Sequence, residues 1–144
     1  MYPPLYRLCA GYMPARIMLG EQPRVYPFGE APQGVTRPYA VWQIITGAPE
    51  NYLGDRPDVD NLSIQIDVCA ETALEARRCG YVIRDAIEGD SHITAWRGES
   101  RDQQTGSYRL SFDASFWQPR ELMEIPGVPA MILDFENDQL LINE

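Results

Sequence analysis

The chain has no lysine: its twelve basic residues are all arginine, and His92 is the single histidine. A serine- or cysteine-type nucleophile and base pair therefore has only His92 to draw on, and His92 sits at a helix-to-strand junction, where it reads as an ordinary surface or hydrogen-bonding residue. Cysteine is sparse too. Cys9, Cys69 and Cys79 are odd in number and form no C-x-x-C pair, which predicts buried reduced thiols and, with only His92 to help, argues against a zinc site. No apolar run approaches the roughly eighteen residues of a membrane span. Pro3, Pro4 and a lone Arg7 open the sequence without a basic stretch before an apolar one, so no secretion signal is expected. Nucleotide-binding glycine loops, zinc-protease helices and nucleophile elbows are missing as well. There is no internal repeat and no low-complexity segment.

What is present fits one globular domain. The 144 residues are 23% charged and 44% hydrophobic, enough to bury a core without staples. The net charge of −9 is unevenly placed. Residues 1–120 hold 15 acids against the 12 arginines, whereas residues 121–144 hold six acids and no base. A groove that grips nucleic acid shows the opposite balance, so sequence-specific DNA binding is disfavoured.

The clearest pattern lies between Asp60 and Glu88. Leu62, Ile64, Ile66 and Val68 alternate with Ser63, Gln65, Asp67 and Cys69, the period of a half-buried strand. Thr72 followed by Glu75 is a capping box. Beyond it, Ala76, Gly80, Ile83 and Ile87 recur at helical spacing, widened by Cys79 and Ala86. This is a strand feeding a helix that can lie on its apolar face. Before it, residues 3–19 suggest a short or interrupted helix ending near Gly20, because Gly11 and Pro14 break the pattern. Residues 21–38 hold four prolines and two glycines and read as an ordered loop, with a short strand at Arg24–Tyr26. Tyr39 to Gly47 is a strand apolar on both sides, as in a central or doubly covered position. Residues 48–59 look like a long hairpin loop, His92–Trp96 like a short strand, 98–107 like a polar loop, and Tyr108–Trp117 like a cleanly alternating strand. In residues 121–144, Pro126, Gly127 and Pro129 precede two short apolar runs, which suits a hairpin or an added edge strand.

The expected fold is α+β: an antiparallel sheet of three to four strands, helices on one face, and a C-terminal extension. Residues 1–120 form the domain and residues 121–144 the acidic extension. The opposite sheet face would carry Ser63, Gln65, Asp67, Arg109, Ser111 and Asp113 toward water. Asp67 and Asp113 become neighbours if their strands pair, and paired carboxylates can do acid–base work when burial separates their behaviour. The surrounding serine, glutamine and arginine instead indicate a solvated face. Glu50, Asp55, Asp58 and Asp60 make an acidic loop whose spacing matches no calcium-binding pattern. Trp42, Trp96 and Trp117 read as core or interface anchors.

A further signature is distributed along the chain. Arg24-Val-Tyr-Pro-Phe-Gly-Glu-Ala-Pro-Gln-Gly-Val, Pro38-Tyr-Ala-Val-Trp-Gln and Gly47-Ala-Pro-Glu-Asn-Tyr-Leu are followed by Gln65-Ile-Asp-Val with the capped helix. Arg101-Asp-Gln-Gln-Thr-Gly-Ser-Tyr-Arg and the last strand complete it. In this order they resemble the tail completion, or tail terminator, proteins of long-tailed bacteriophages and prophages, over residues 1–120. The resemblance implies a small α+β structural protein of the virion without catalytic residues, cofactor or metal. Relatives such as the lambda tail terminator form a hexameric ring. It implies a homo-oligomeric ring as well, capping the tail tube protein, meeting the neck or head–tail connector protein, and letting DNA pass unbound. Its place would be the host cytoplasm during assembly and the head–tail interface of the finished particle, with no membrane contact. On this reading the polar face (Ser63, Gln65, Asp67, Asp113) or the acidic loop (Glu50, Asp55, Asp58) borders the lumen or an interface. The family pattern ends soon after a Trp-x-x-Arg like Trp117-Gln-Pro-Arg120, so residues 121–144 are an addition: a patch on the body's own sheet, or an arm to a neighbour. Other readings are a different neck component of similar fold, an acidic module that captures a host or phage protein, and an enzyme using His92 or the Asp67/Asp113 pair.

Overall fold

A computed structural model describes residues 3–51, 53–54 and 56–120. In chain order the elements are α1 (Leu5–Ala10), α2 (Met13–Leu19), β1 (Val25–Pro27), β2 (Tyr39–Pro49), β3 (Val59–Ala70), α3 (Ala73–Ile87), β4 (His92–Arg101) and β5 (Tyr108–Pro119). The strands form one sheet in the order β1-β2-β3-β5-β4. Every pairing is antiparallel except β1 with β2, which is parallel. The class is α+β, with five strands among the described residues where three or four were expected. The strand beyond that count is β1, three residues long and one residue on from the short strand expected at Arg24–Tyr26; it is held in place by the compact loop that also carries Arg24. The Arg24 guanidinium donates from Nε to the Pro38 carbonyl at 3.0 Å, tying the two ends of that loop together.

Alternation decides which face of β3 is buried. Leu62, Ile64, Ile66 and Val68 are at most 5% exposed and lie opposite Phe116, Ala114, Phe112 and Leu110 of β5. Helix α3 covers this face with Ala76, Cys79, Gly80, Ile83 and Ile87. Gly80 lets α3 lie close to β5: a Cβ there would meet Leu110 Cδ2, so a larger residue needs that side chain to shift. The helix starts as its sequence predicts. Glu75 N–H donates to Thr72 Oγ1 at 3.1 Å, and Glu75 Oε1 accepts from the Glu71 N–H, one residue before the cap, at 3.1 Å. Gly11 does interrupt the N-terminal helix. The two pieces bury Leu5 with Cys9 and Ala15 with Leu19, each pair four residues apart on one side.

Two strands depart from expectation. β4 continues past Trp96 to Arg101, through residues that read as a loop. It is the edge strand, water meets both its faces, and register shifts lie between Ile93 and Ala95 and between Trp96 and Gly98. Gly98, at φ +109°, supplies the backbone conformation of the second shift. β2 is central only in its first half. β1 reaches no further than Trp42, so from Ile44 to Pro49 the strand is exposed on both sides. The hairpin or edge strand expected within residues 121–144 lies outside the described residues.

Candidate functional site

The sheet face turned away from the helices gathers four of the residues singled out from the sequence. Ser63, Gln65 and Asp67 follow one another along β3, and Asp113 of β5 stands directly across from Gln65. Thr46 and Gln43 of β2 extend the row on one side, and Ser111 and Ser115 of β5 on the other. The result is a polar field whose groups are largely bonded to one another. Asp67 Oδ1 accepts from Gln65 Nε2 at 3.2 Å and from the Ser111 hydroxyl. The Ser115 hydroxyl donates to Asn61 Oδ1 at 2.8 Å.

Asp113 differs from the expected solvated carboxylate. It is 3% exposed, because it lies on an inner strand with Arg97 of β4 laid against it. Asp113 Oδ2 accepts from Arg97 Nε at 2.8 Å, and Arg97 Nη2 lies 2.6 Å from the same oxygen. Asp113 Oδ1 has no hydrogen-bond partner among the described residues. Asp67 and Asp113 are diagonal neighbours, Asp67 facing Ser111 and Asp113 facing Gln65, and each carboxylate has its own donors, neutral ones for Asp67 and Arg97 for Asp113. Arg97 was missed in the sequence because the β-bulge beside Gly98 breaks the alternation that would have placed it.

Among the described residues the acidic loop does not gather into a cluster. Glu50 and Asp58 are exposed at the two ends of the β2–β3 connection, and Asp55 lies outside the described residues. Asp60 is drawn into the sheet, 7% exposed, where Arg120 donates to it twice at 2.9 Å. That hydrogen-bonded pairing holds the Asp60 carboxyl below its ordinary range, against the opposing effect of burial. The Arg120 N–H also donates to the Asp58 carbonyl at 2.8 Å, so Arg120 closes this end of the sheet. Among the described residues no group of three histidine, cysteine or acidic side chains is placed to hold a metal ion.

The remaining chemistry-bearing groups are occupied or sealed. His92 is exposed and meets Trp117 edge to face, ring centres 5.2 Å apart. Trp42 is buried, while Trp96 and Trp117 are 44% and 46% exposed. All three cysteines are buried free thiols. Burial pushes Cys9 up to about 12 and, as the main cause, Cys79 up to about 12, so neither is a thiolate near neutral pH. No helix among the described residues is long and apolar enough to cross a membrane.

Comparison with known proteins adds to this geometry. A family model described as tail completion protein gp17 matches residues 3–118. No curated protein matches the chain. Among solved structures, a chain in a structure titled virion of native gene transfer agent (GTA) particle shares the fold, with a TM-score of 0.60 at 12% identity. The alignment covers 81% of this chain and 92% of that one.

Proposed function

The chain belongs to the tail completion protein gp17 family, and from that membership we propose that it is a structural virion protein that caps the end of a tail tube as a homo-oligomeric ring, a hexamer, and offers the head-side connector its docking surface. The family match across residues 3–118 is the observation that carries this reading. The site geometry is compatible with a role that is assembly and not catalysis. Asp113 and Asp60 are each paired with an arginine, burial pushes the Cys9 and Cys79 thiols up to about 12, and His92 is packed on an indole.

Within such a ring we place the polar sheet face toward the channel. Its hydroxyls, amides and paired charges make a surface with little grip on phosphate, as a conduit for DNA requires. Partners on this reading are further copies of the chain, the tube subunit and the neck connector. The setting is the host cytoplasm during assembly and then the particle.

Tail assembly with and without the protein tests the proposal. Growing tubes in its presence should have one length, with density at one end that binds connector. In its absence they should run on to variable lengths and join no heads. Tubes of unchanged length that still join heads would refute it. An acidic module that captures another protein would instead bind its target in the absence of any tail component.

A further inference from the structure

We infer that the exposed indole of Trp117, at one end of β5, docks into the basic pocket at the other end of β5 in a neighbouring copy, so that subunits join end to end. The inference rests on the ring reading and names the contact that would build it.

The pocket lies where α3 and β5 begin. It is a cleft of about 220 Å³ with a mostly apolar lining, room for one large side chain. Ala73 and Ala76 of α3 line one side and Tyr108 of β5 the other. The charge of its lining is positive, Arg101 and Arg109 against Glu99. Glu99 is already held by Arg77 of α3, whose Nη2 donates to it at 2.9 Å. Asp102, next in the chain to Arg101, turns its carboxylate into its own loop and accepts from the Gln104 N–H at 2.9 Å. Neither Arg101 nor Arg109 makes a salt bridge among the described residues, and the Arg101 guanidinium lies over the Tyr108 ring at 5.4 Å. A pocket of this kind suits an aromatic side chain that arrives among negative charges, since arginine also binds a ring face.

Trp117 has those surroundings. It is 46% exposed, and tryptophan is among the residues most enriched at the energetic centres of protein interfaces. The end of the sheet that carries it is acidic. The Asp58 carbonyl accepts from Arg120, three residues on from Trp117, and the Glu50 N–H donates to the Val59 carbonyl at 3.0 Å. Glu88 and Asp90 follow α3 at the same end, just before His92. All four acids are exposed. Of the arginines there, Arg84 is bonded to Asp85 and Arg120 to Asp60, which among the described residues leaves Arg56 against four carboxylates. The two ends of the sheet thus carry opposite charge around an aromatic knob and a pocket. Such complementarity selects the partner and fixes its orientation.

A chain cannot fill its own pocket. Tyr108 and Trp117 stand near opposite ends of β5, a strand of 12 residues, and at about 3.3 Å per residue they lie roughly 30 Å apart. Two unlike patches that far apart on one subunit make a heterologous contact, the kind that generates a ring when the rotation closes.

The experiment uses the full-length chain, assembled alone or on tail tubes, and a short bismaleimide. The native thiols are buried, so introduced surface cysteines are the ones that react. Ser100 lines the pocket, and Pro119 is exposed two residues beyond Trp117 on the same side of the strand. A mixture of S100C and P119C should yield a cross-linked dimer, while neither variant links to itself. W117A should weaken assembly by about tenfold or more. R101E should weaken it by about tenfold, and D58R added on the same chain should recover part of the loss. Rings that form without the S100C–P119C link, or W117A rings as tight as wild type, overturn the inference and leave the ring reading standing. A link from S100C to the tube subunit instead overturns it equally. A wild-type chain that forms no ring even on tubes removes both.

Discussion

Within a single strand, β2, the first half and the second half live in different environments. Ala40 and Trp42 are sealed against Val68 and Ile66, with β1 on one edge and helices above. A few residues on, Ile44 and Ile45 are 46% and 37% exposed, yet the pairing with β3 runs on to Pro49. A hydrogen-bonded ladder needs no core to continue, so the sheet extends past the layer that buries it. The sealed block is what makes the chain fold. The outer half is surface held in shape by the ladder and by Arg120, and its apolar side chains are available to something outside the monomer.

Substitutions can break this contrast. The largest effect belongs to the block: Phe112→Ala should cost about 3–5 kcal/mol, read as a lowered midpoint in urea, because a fully buried ring against α3 leaves a cavity. Thr72→Ala removes the α3 cap and should cost about 1 kcal/mol in the same titration. Acid acts on the outer half. The Asp60 carboxyl is depressed in the fold, so its pairing with Arg120 stabilises at neutral pH and fades as the pH falls below the usual carboxylate range of about 4. Protection of the Arg120 amide, corrected for intrinsic exchange, should drop there, and Asp60→Asn should flatten that dependence. Ile45→Ser should lie within about 0.5 kcal/mol of wild type in stability. A cost for Ile45→Ser that rivals Phe112→Ala would mean the outer half belongs to the monomer's own core.

The same contrast explains what the sequence could show. Where one face is buried and the other polar, as in β3, β5 and α3, period and capping give elements and facing residues directly, and the four polar-face positions fall together in the sheet. The signal fails at edges. β4 looks like a loop from Gly98 onward because an edge strand meets water on both faces, and two bulges erase its alternation. β2 looks central throughout because its outer apolar residues resemble core residues when the neighbour that stops at Trp42 is unknown. Asp113 reads as solvated because its burial depends on Arg97, sixteen residues away on a bulged strand. The acidic loop reads as solvated, whereas Arg120 draws Asp60 into the sheet and leaves Glu50 and Asp58 outside. Pairing across long sequence separation has no local signature, which is why the pairings of Arg97 with Asp113 and of Arg120 with Asp60 emerge only with the fold.

The most direct test of ring assembly is the solution mass of the full-length chain, measured by light scattering over a wide concentration range, with and without purified tail tubes and with imaging of the same samples. The expected result is a closed ring of about six copies, or density at one tube end only. A monomer at every concentration that leaves tube ends bare would contradict it.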